Sequence, residues 1–448
     1  MKFKFLILVL VVAAPCKKAV AAEQSHLNWC HLLDPSTQQK APLAPQLKRA
    51  LTVAEQALDV VFPTVKDLHM EGTLDSDPGH QESEKAVHDL PKLIDLAVCA
   101  RVATATLQGK CKAKAMQVLL GWVHTYEPTG NPINESRLIP LLQAADLLAP
   151  VMDGPSRNLT YKFIKKLASQ GDVFFKAMKS TDSRIANNWG TWRLTVRSLA
   201  ATVTDDINLQ SETVDLWRKH LAANIKRDGS TYDFAQRDAL DYHVYDLEAY
   251  AKAVAQTPSL FPDSWEKKSI ASAFEFLRPY YTKEKQHVEF VNTKVPFDLE
   301  RKKAGMPAFQ NSPWKPESAR QVLRLARPFF PEIRGWSGNV VDEKYDPSLK
   351  LMTAACGEDL AEAQGSNENP VGGRAKYKWM GENRHGKRGW VALARHLHCT
   401  SIDHDKNPAD FFATCLGLIQ PCERGLVPAT NRGCHRDSLF GDRRRSKL

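Results

Sequence analysis

The chain contains no Cys-x-x-Cys pair or similar zinc-ligand spacing of cysteines, so no metal site is expected. Beyond its first residues it lacks any apolar stretch as long as a membrane-spanning helix, and membrane insertion is not expected. No internal repeat of fixed period is evident, which sets aside the named repeat arrays. The Ala/Leu-rich stretch from Leu141-Leu142 to Leu147-Leu148 lacks strand-like alternation. Wholesale disorder is excluded as well, because 43% of residues are hydrophobic and only 25% are charged.

What is present starts at the N-terminus. Lys2 and Lys4 precede an apolar run from Phe5 to Ala14, and Ala19-Val20-Ala21 supplies a small-x-small pattern. That order reads as a secretory signal over residues 1–21. A periplasmic or secreted protein is therefore expected. The formal net charge is +10, which suits an acidic partner. Outside the cytoplasm that partner is an anionic polymer or metabolite, and nucleic acid is not expected. Of nine cysteines, eight remain once Cys16 is removed with the signal. An even number permits disulfides in an oxidising compartment, and Cys99 with Cys111 is the best-placed local pair.

From about residue 45 to 330 the pattern is helical. Ile185, Trp189, Trp192, Val196, Leu199 and Val203 recur at steps of four and three. Val214, Trp217, Leu221 and Ile225 do the same, and Leu240, Val244, Leu247 and Ala251 share one face of a helix predicted over Ala239–Ala255. Turn residues separate these runs, among them Gly154-Pro155 and Asp228-Gly229-Ser230. Helices with short breaks predict stacked helical hairpins: an all-α bundle, solenoid or α/α toroid. From Cys356 onward the periodicity weakens and five of the eight cysteines gather. Residues 22–335 are read as the helical domain and 336–448 as an irregular extension.

Two segments carry chemistry. Ala186-Asn187-Asn188-Trp189-Gly190-Thr191-Trp192 opens a helix. There either asparagine caps the helix, with Trp189 and Trp192 in the core, or its amide donates to a substrate carboxylate. The second segment runs from Asp228 through Arg237 to Tyr245. On a helical wheel Tyr242 lies about 200° from Leu240, with Tyr245 close to it and His243 at the edge between the faces. Either this is an ordinary amphipathic helix, or Arg237, Tyr242 and His243 surround an acidic substrate.

Asn-Asn-x-Gly-x-Trp, then Asp-Gly-Ser-x-Tyr, then Arg-Asp-Ala-Leu-x-Tyr-His-x-Tyr resembles the alginate lyase family, with which glucuronan lyases share an α/α toroid. Compatible stretches are Pro128 to Glu135, His287 to Asn292, and Pro296-Phe297-Asp298. The likeness spans about residues 60 to 325. It implies an incomplete α/α toroid and β-elimination on a β-linked polyuronate, without metal or organic cofactor, by a monomer. Asn188 matches the asparagine that neutralises the uronate carboxylate, and Tyr242 the catalytic tyrosine. Arg237 resembles the arginine that binds the carboxylate or stabilises phenolate, and His243 follows the tyrosine as in the family. Such a reaction needs a neutralised carboxylate, a base for the C5 proton and an acid for the departing O4.

Two positions depart from the family pattern. Many members have histidine where this chain has Trp189, and their arginine lies further upstream than five positions before the tyrosine. Asn187, Trp189, Trp192 and Tyr245 are further candidates for lining the cleft. His124 either faces the cleft or is structural, Asn134 either lines it or caps a helix, and Lys285 and His287 either meet carboxylates or belong to a solvated loop. Two competing readings remain. A glycoside hydrolase would need paired carboxylates, for which Asp238, Asp241 and Glu248 are candidates. A non-catalytic polyuronate binder would follow if Trp189 marks a decayed site.

Overall fold

Helices buried on every side alternate along this chain with helices buried on one face, and that alternation sets the architecture. The computed structural model describes residues 25–40, 43–261, 264–337, 351–352 and 354–356, all within one unit of the chain, residues 1–370. The signal read at residues 1–21, and residues 357–448 of the extension, lie outside the described residues. The helices are α1 (Leu43–Ala57), α2 (Pro78–Val87), α3 (Lys92–Val102), α4 (Ala105–Thr125), α5 (Pro132–Glu135), α6 (Ile139–Leu148), α7 (Gly154–Lys176) and α8 (Asn188–Val203). They continue with α9 (Ile207–Asn224), α10 (Tyr232–Arg237), α11 (Leu240–Gln256), α12 (Ser264–Tyr281), α13 (Pro296–Lys303), α14 (Arg320–Ala326) and α15 (Arg334–Ser337). Among the described residues there is no strand, only the isolated bridges Ile225–Thr231 and Val288–Pro313.

Helices α3, α6, α8, α11 and α14 pack each against the next as an inner layer, with α1, α4, α7, α9 and α12 outside. Composition explains the layering. Along α8 every residue but Arg193 is buried, and along α6 every residue but Pro140. Outer α7 instead buries Thr160, Phe163, Ile164, Leu167, Ala168, Gly171 and Phe175, steps of three, one and four that make a single stripe. The chain thus adopts the all-α, α/α-toroid architecture expected of it.

One end of the inner layer is closed by the N-terminal segment. The Asp146 carboxylate on α6 accepts hydrogen bonds from His26 N (2.7 Å), Leu27 N (3.2 Å) and Trp29 Nε1 (2.7 Å). Asn28 N donates to Gln256 O at the C-terminus of α11 (2.9 Å). Cys30 is disulfide-bonded to Cys356, and Cys99 to Cys111 across α3 and α4. Leu351, Met352, Ala354 and Ala355 are buried, and Gln256 Nε2 donates to the Met352 sulfur (3.0 Å). The helical body therefore reaches beyond the boundary drawn at residue 335. With its C-terminal ends covered, the layer opens at the other end, where α8 and α11 begin.

Gly190 fixes how α8 begins. A Cβ there would sit 2.6 Å from both Ile185 O and His220 Cε1. Gly190→Ala should therefore destabilise the fold by about 1–3 kcal/mol through overpacking. Denaturant melts measure this, and an unchanged midpoint would show that the close approach carries no constraint.

Candidate active site

Asn187 caps α8, its side-chain oxygen accepting from Trp189 N (3.0 Å). The cap directs Asn188 inward, where its backbone N–H and its Nδ2 both donate to the Asp233 carboxylate, at 2.6 and 2.7 Å. Asp233 is fully enclosed on short helix α10. One turn on, Arg237 donates through Nε to the same Asp233 (3.2 Å) and through Nη1 to Asp298 on α13. Thus one buried carboxylate aligns the starts of α8 and α10, and a second ties in α13.

The turn after α10 explains the five-residue spacing. Asp238 takes a left-handed conformation, with φ of 51°, which aspartate tolerates better than most residues. Its carbonyl accepts from Phe290 N (2.8 Å) and His287 Nε2 (3.0 Å), and its carboxylate from Asn292 N (2.8 Å). The chain reverses there into α11. This brings the Arg237 guanidinium carbon to 3.9 Å from the centre of the Tyr242 ring. From α13, Arg301 Nη1 reaches the Tyr242 hydroxyl at 3.4 Å. Burial pushes the phenol above its ordinary pKa, opposed first by the Arg237 charge and then by that of Arg301.

Asn188, Trp189, Arg237, Tyr242 and Tyr245 line one cavity of about 350 Å³. Trp189 stacks on Phe174, with centroids 6.0 Å apart and planes 20° apart, and closes one wall. Tyr245 packs against Trp192 at 5.1 Å. Phe290, Phe297 and Phe309 form an apolar wall beside Tyr242. The α8 and α11 N-termini end here, with their first N–H groups bonded to Asp233 and Asn187 at α8 and to Glu289 at α11. Among the described residues no cluster of ligating side chains has metal-binding geometry.

Other residues expected at the site lie elsewhere. His243 is fully buried, bonded to Thr231 Oγ1 (3.0 Å) and Ala273 O (2.9 Å), because α11 is packed by α8, α12 and α14 and its buried arc extends past the stripe. Burial lowers its pKa to about 4, so it is a neutral core imidazole. Trp192 is in the core and does not line the cavity. Asn134 neither lines the cavity nor caps a helix; Asn131 caps α5. Asn134 instead clamps a loop, accepting from Met70 N (2.9 Å) and Glu71 N (3.0 Å) and donating to Leu68 O (2.6 Å). His287 braces Asp238 from behind, while His124 and Lys285 are exposed and outside the cavity.

Sequence reading missed Arg137, Arg301 and His80, which also line the cavity. His80 Nδ1 lies 2.9 Å from the Thr73 hydroxyl. Arg301 had a local signal: Phe297, Asp298 and Arg301 are four and three positions apart, one face of a helix.

A family model described as alginate lyase matches residues 17–287. The crystal structure of an alginate lyase from Bacteroides ovatus is similar, with a TM-score of 0.52 and 16% identity, over 73% of this chain and 99% of that one. At that identity the likeness concerns the fold. No curated protein matches the chain.

Glu289 supports the cavity from beneath. Its carboxylate caps α11, accepting from Leu240 N (2.9 Å) and Asp241 N (3.3 Å). Burial, then the neighbouring Asp241 charge, push its pKa up to about 8, against about 4.3 when free. Between those values the folded chain holds a proton that the unfolded chain releases, so stability falls as pH rises. Glu289→Gln has no such proton. Thermal melts between about pH 5 and pH 8 should show the wild type losing stability relative to this variant, and parallel curves would show a carboxylate ionised throughout.

Proposed function

Because the chain belongs to the alginate lyase family and is a polysaccharide lyase, we propose that it cleaves a β-linked polyuronate, alginate or glucuronan, by β-elimination at Tyr242. The observation that carries this reading is the phenol itself: its ring lies on Arg237 and its hydroxyl beside Arg301, in a cavity where two helices begin. In the proposed reaction the phenolate removes the C5 proton. The C5–H electron pair forms the C4–C5 double bond, the C4–O4 bond breaks, and the phenol returns its proton to O4. Asn188 keeps an amide N–H beyond the one bonded to Asp233, and offers it to the carboxylate side of the sugar. We place the enzyme outside the cytoplasm, a reading that the N-terminal signal pattern and the paired cysteines support.

Incubation with mannuronan, glucuronan and polyguluronate, followed by ultraviolet absorbance of the unsaturated product, tests the substrate class. No rise with any of them, on folded protein, overturns it.

Tyr242→Phe should lower turnover by about 10²-fold or more and leave the melt unchanged. The raised phenol pKa sets the sign of the pH dependence. Below that value the phenolate fraction grows tenfold per pH unit, so the wild-type rate should climb with slope near one from neutral pH upward. A rate that falls over this range would restrict Tyr242 to the acid role.

A further inference from the structure

Neutralisation of the uronate carboxylate requires a cation that the protein has not already neutralised. Arg237 does not meet that requirement. Its Nε is bonded to Asp233 and its Nη1 to Asp298, two enclosed carboxylates against one guanidinium. Arg301 is placed otherwise. No carboxylate of the described residues lies within ion-pair distance of it, and its Nε is buried without a hydrogen-bond partner. Its guanidinium carbon lies 4.1 Å from the Phe297 ring centre and 4.7 Å from that of Phe309, so aromatic faces hold the fork in place. The charge is therefore offered through the Nη atoms, where the Tyr242 hydroxyl at 3.4 Å is the one hydrogen-bond partner among the described residues, a weak contact.

We propose that Arg301 is the receptor for the carboxylate of the uronate being cleaved, and that Arg237 is a positioning residue which holds Tyr242 from beneath. This rests on the lyase reading above. A carboxylate accepting from the Arg301 Nη atoms places C5, one bond away, on the side of the phenol oxygen. As the C5–H bond breaks, negative charge moves into the carboxylate to give an enolate-like dianion. Arg301 meets that charge with preorganised, charge-assisted hydrogen bonds. The electron pair then closes the C4–C5 double bond and expels O4, which takes its proton from Tyr242. The resting site holds an unneutralised, partly desolvated guanidinium, a cost that the substrate anion offsets.

The test measures binding by calorimetry in Tyr242→Phe protein, so that cleavage does not interfere, with and without Arg301→Gln. The probes are a mannuronate or glucuronate oligosaccharide and its carboxyl methyl ester. Protein with Arg301 should prefer the acid over the ester about tenfold or more, and Arg301→Gln should erase that preference while ester binding stays unchanged. A preference that survives the substitution, or is absent while Arg301 is present, overturns the proposal. If Arg301→Gln does not fold, Arg301→Lys keeps the charge without the planar fork, and should weaken acid binding and leave ester binding intact. In otherwise unaltered protein, Arg301→Gln should reduce kcat about 10²-fold. Failure of the lyase reading is separate, since it appears as absent product with every polyuronate whatever the binding result.

Discussion

The site depends on one buried carboxylate. Asp233 receives the backbone N–H and amide of Asn188 and the Nε of Arg237. A carboxylate removed from water at this depth is tolerated only when its oxygens are bonded and its charge is matched. Three donors and one guanidinium do that, and in doing so they fix three things at once. The α8 start is locked to α10, the asparagine amide is oriented, and Arg237 is held flat on the Tyr242 ring. Asp298 extends the lock to α13, which carries Arg301. Removal of Arg237 would leave two buried carboxylates unmatched, and removal of Asn188 would take two donors from one of them, so these residues act as a unit.

The toroid was legible because its helices are long and periodic, and because layer follows composition. Predominantly apolar helices such as α6 sit inside; striped ones such as α7 sit outside. Tyr242 was legible twice, through the wheel and through the family motif. His243 was misplaced because a wheel assumes one buried face, whereas α11 is packed from three sides. Asn134 and His287 are polar residues beside a cavity that bond to backbone groups instead. Polarity in a sequence does not say which partner satisfies it. Arg301 lay outside every motif, and its importance comes from two facts absent from the one-dimensional pattern: Arg237 is already paired, and the α10–α11 reversal turns Tyr242 toward α13.

Trp189 sharpens the chemistry in the same way. An indole in place of an imidazole supplies no proton-transfer group, only a wall stacked on Phe174. His80 also lines the cavity, anchored to the Thr73 hydroxyl. Both arginines bear directly on the phenol. In the proposed reaction the phenol therefore carries both proton transfers. An enclosed phenol is a poor base unless cations lower the cost of ionisation, and the two guanidiniums beside it act in that direction. Charge arrangement at Tyr242 thus takes the place of a second acid–base residue.

The same arrangement changes what the net charge of +10 means. Arg237, the cation that the motif pointed to, is matched by Asp233 and Asp298 and adds no net positive charge to the cavity. Burial raises the pKa of cavity-lining Asp241, whose carboxyl oxygen accepts from Trp314 Nε1. What favours a polyanion there is local: the guanidiniums of Arg137 and Arg301, neither of which has a carboxylate partner among the described residues. Net charge accelerates encounter with a polyanion over distances that salt screens beyond about 10 Å. Discrimination for a carboxylate at the reacting sugar has to come from groups inside that distance. On the proposed assignment that discrimination depends on Arg301 of α13, inside the cavity, and not on the exposed lysines.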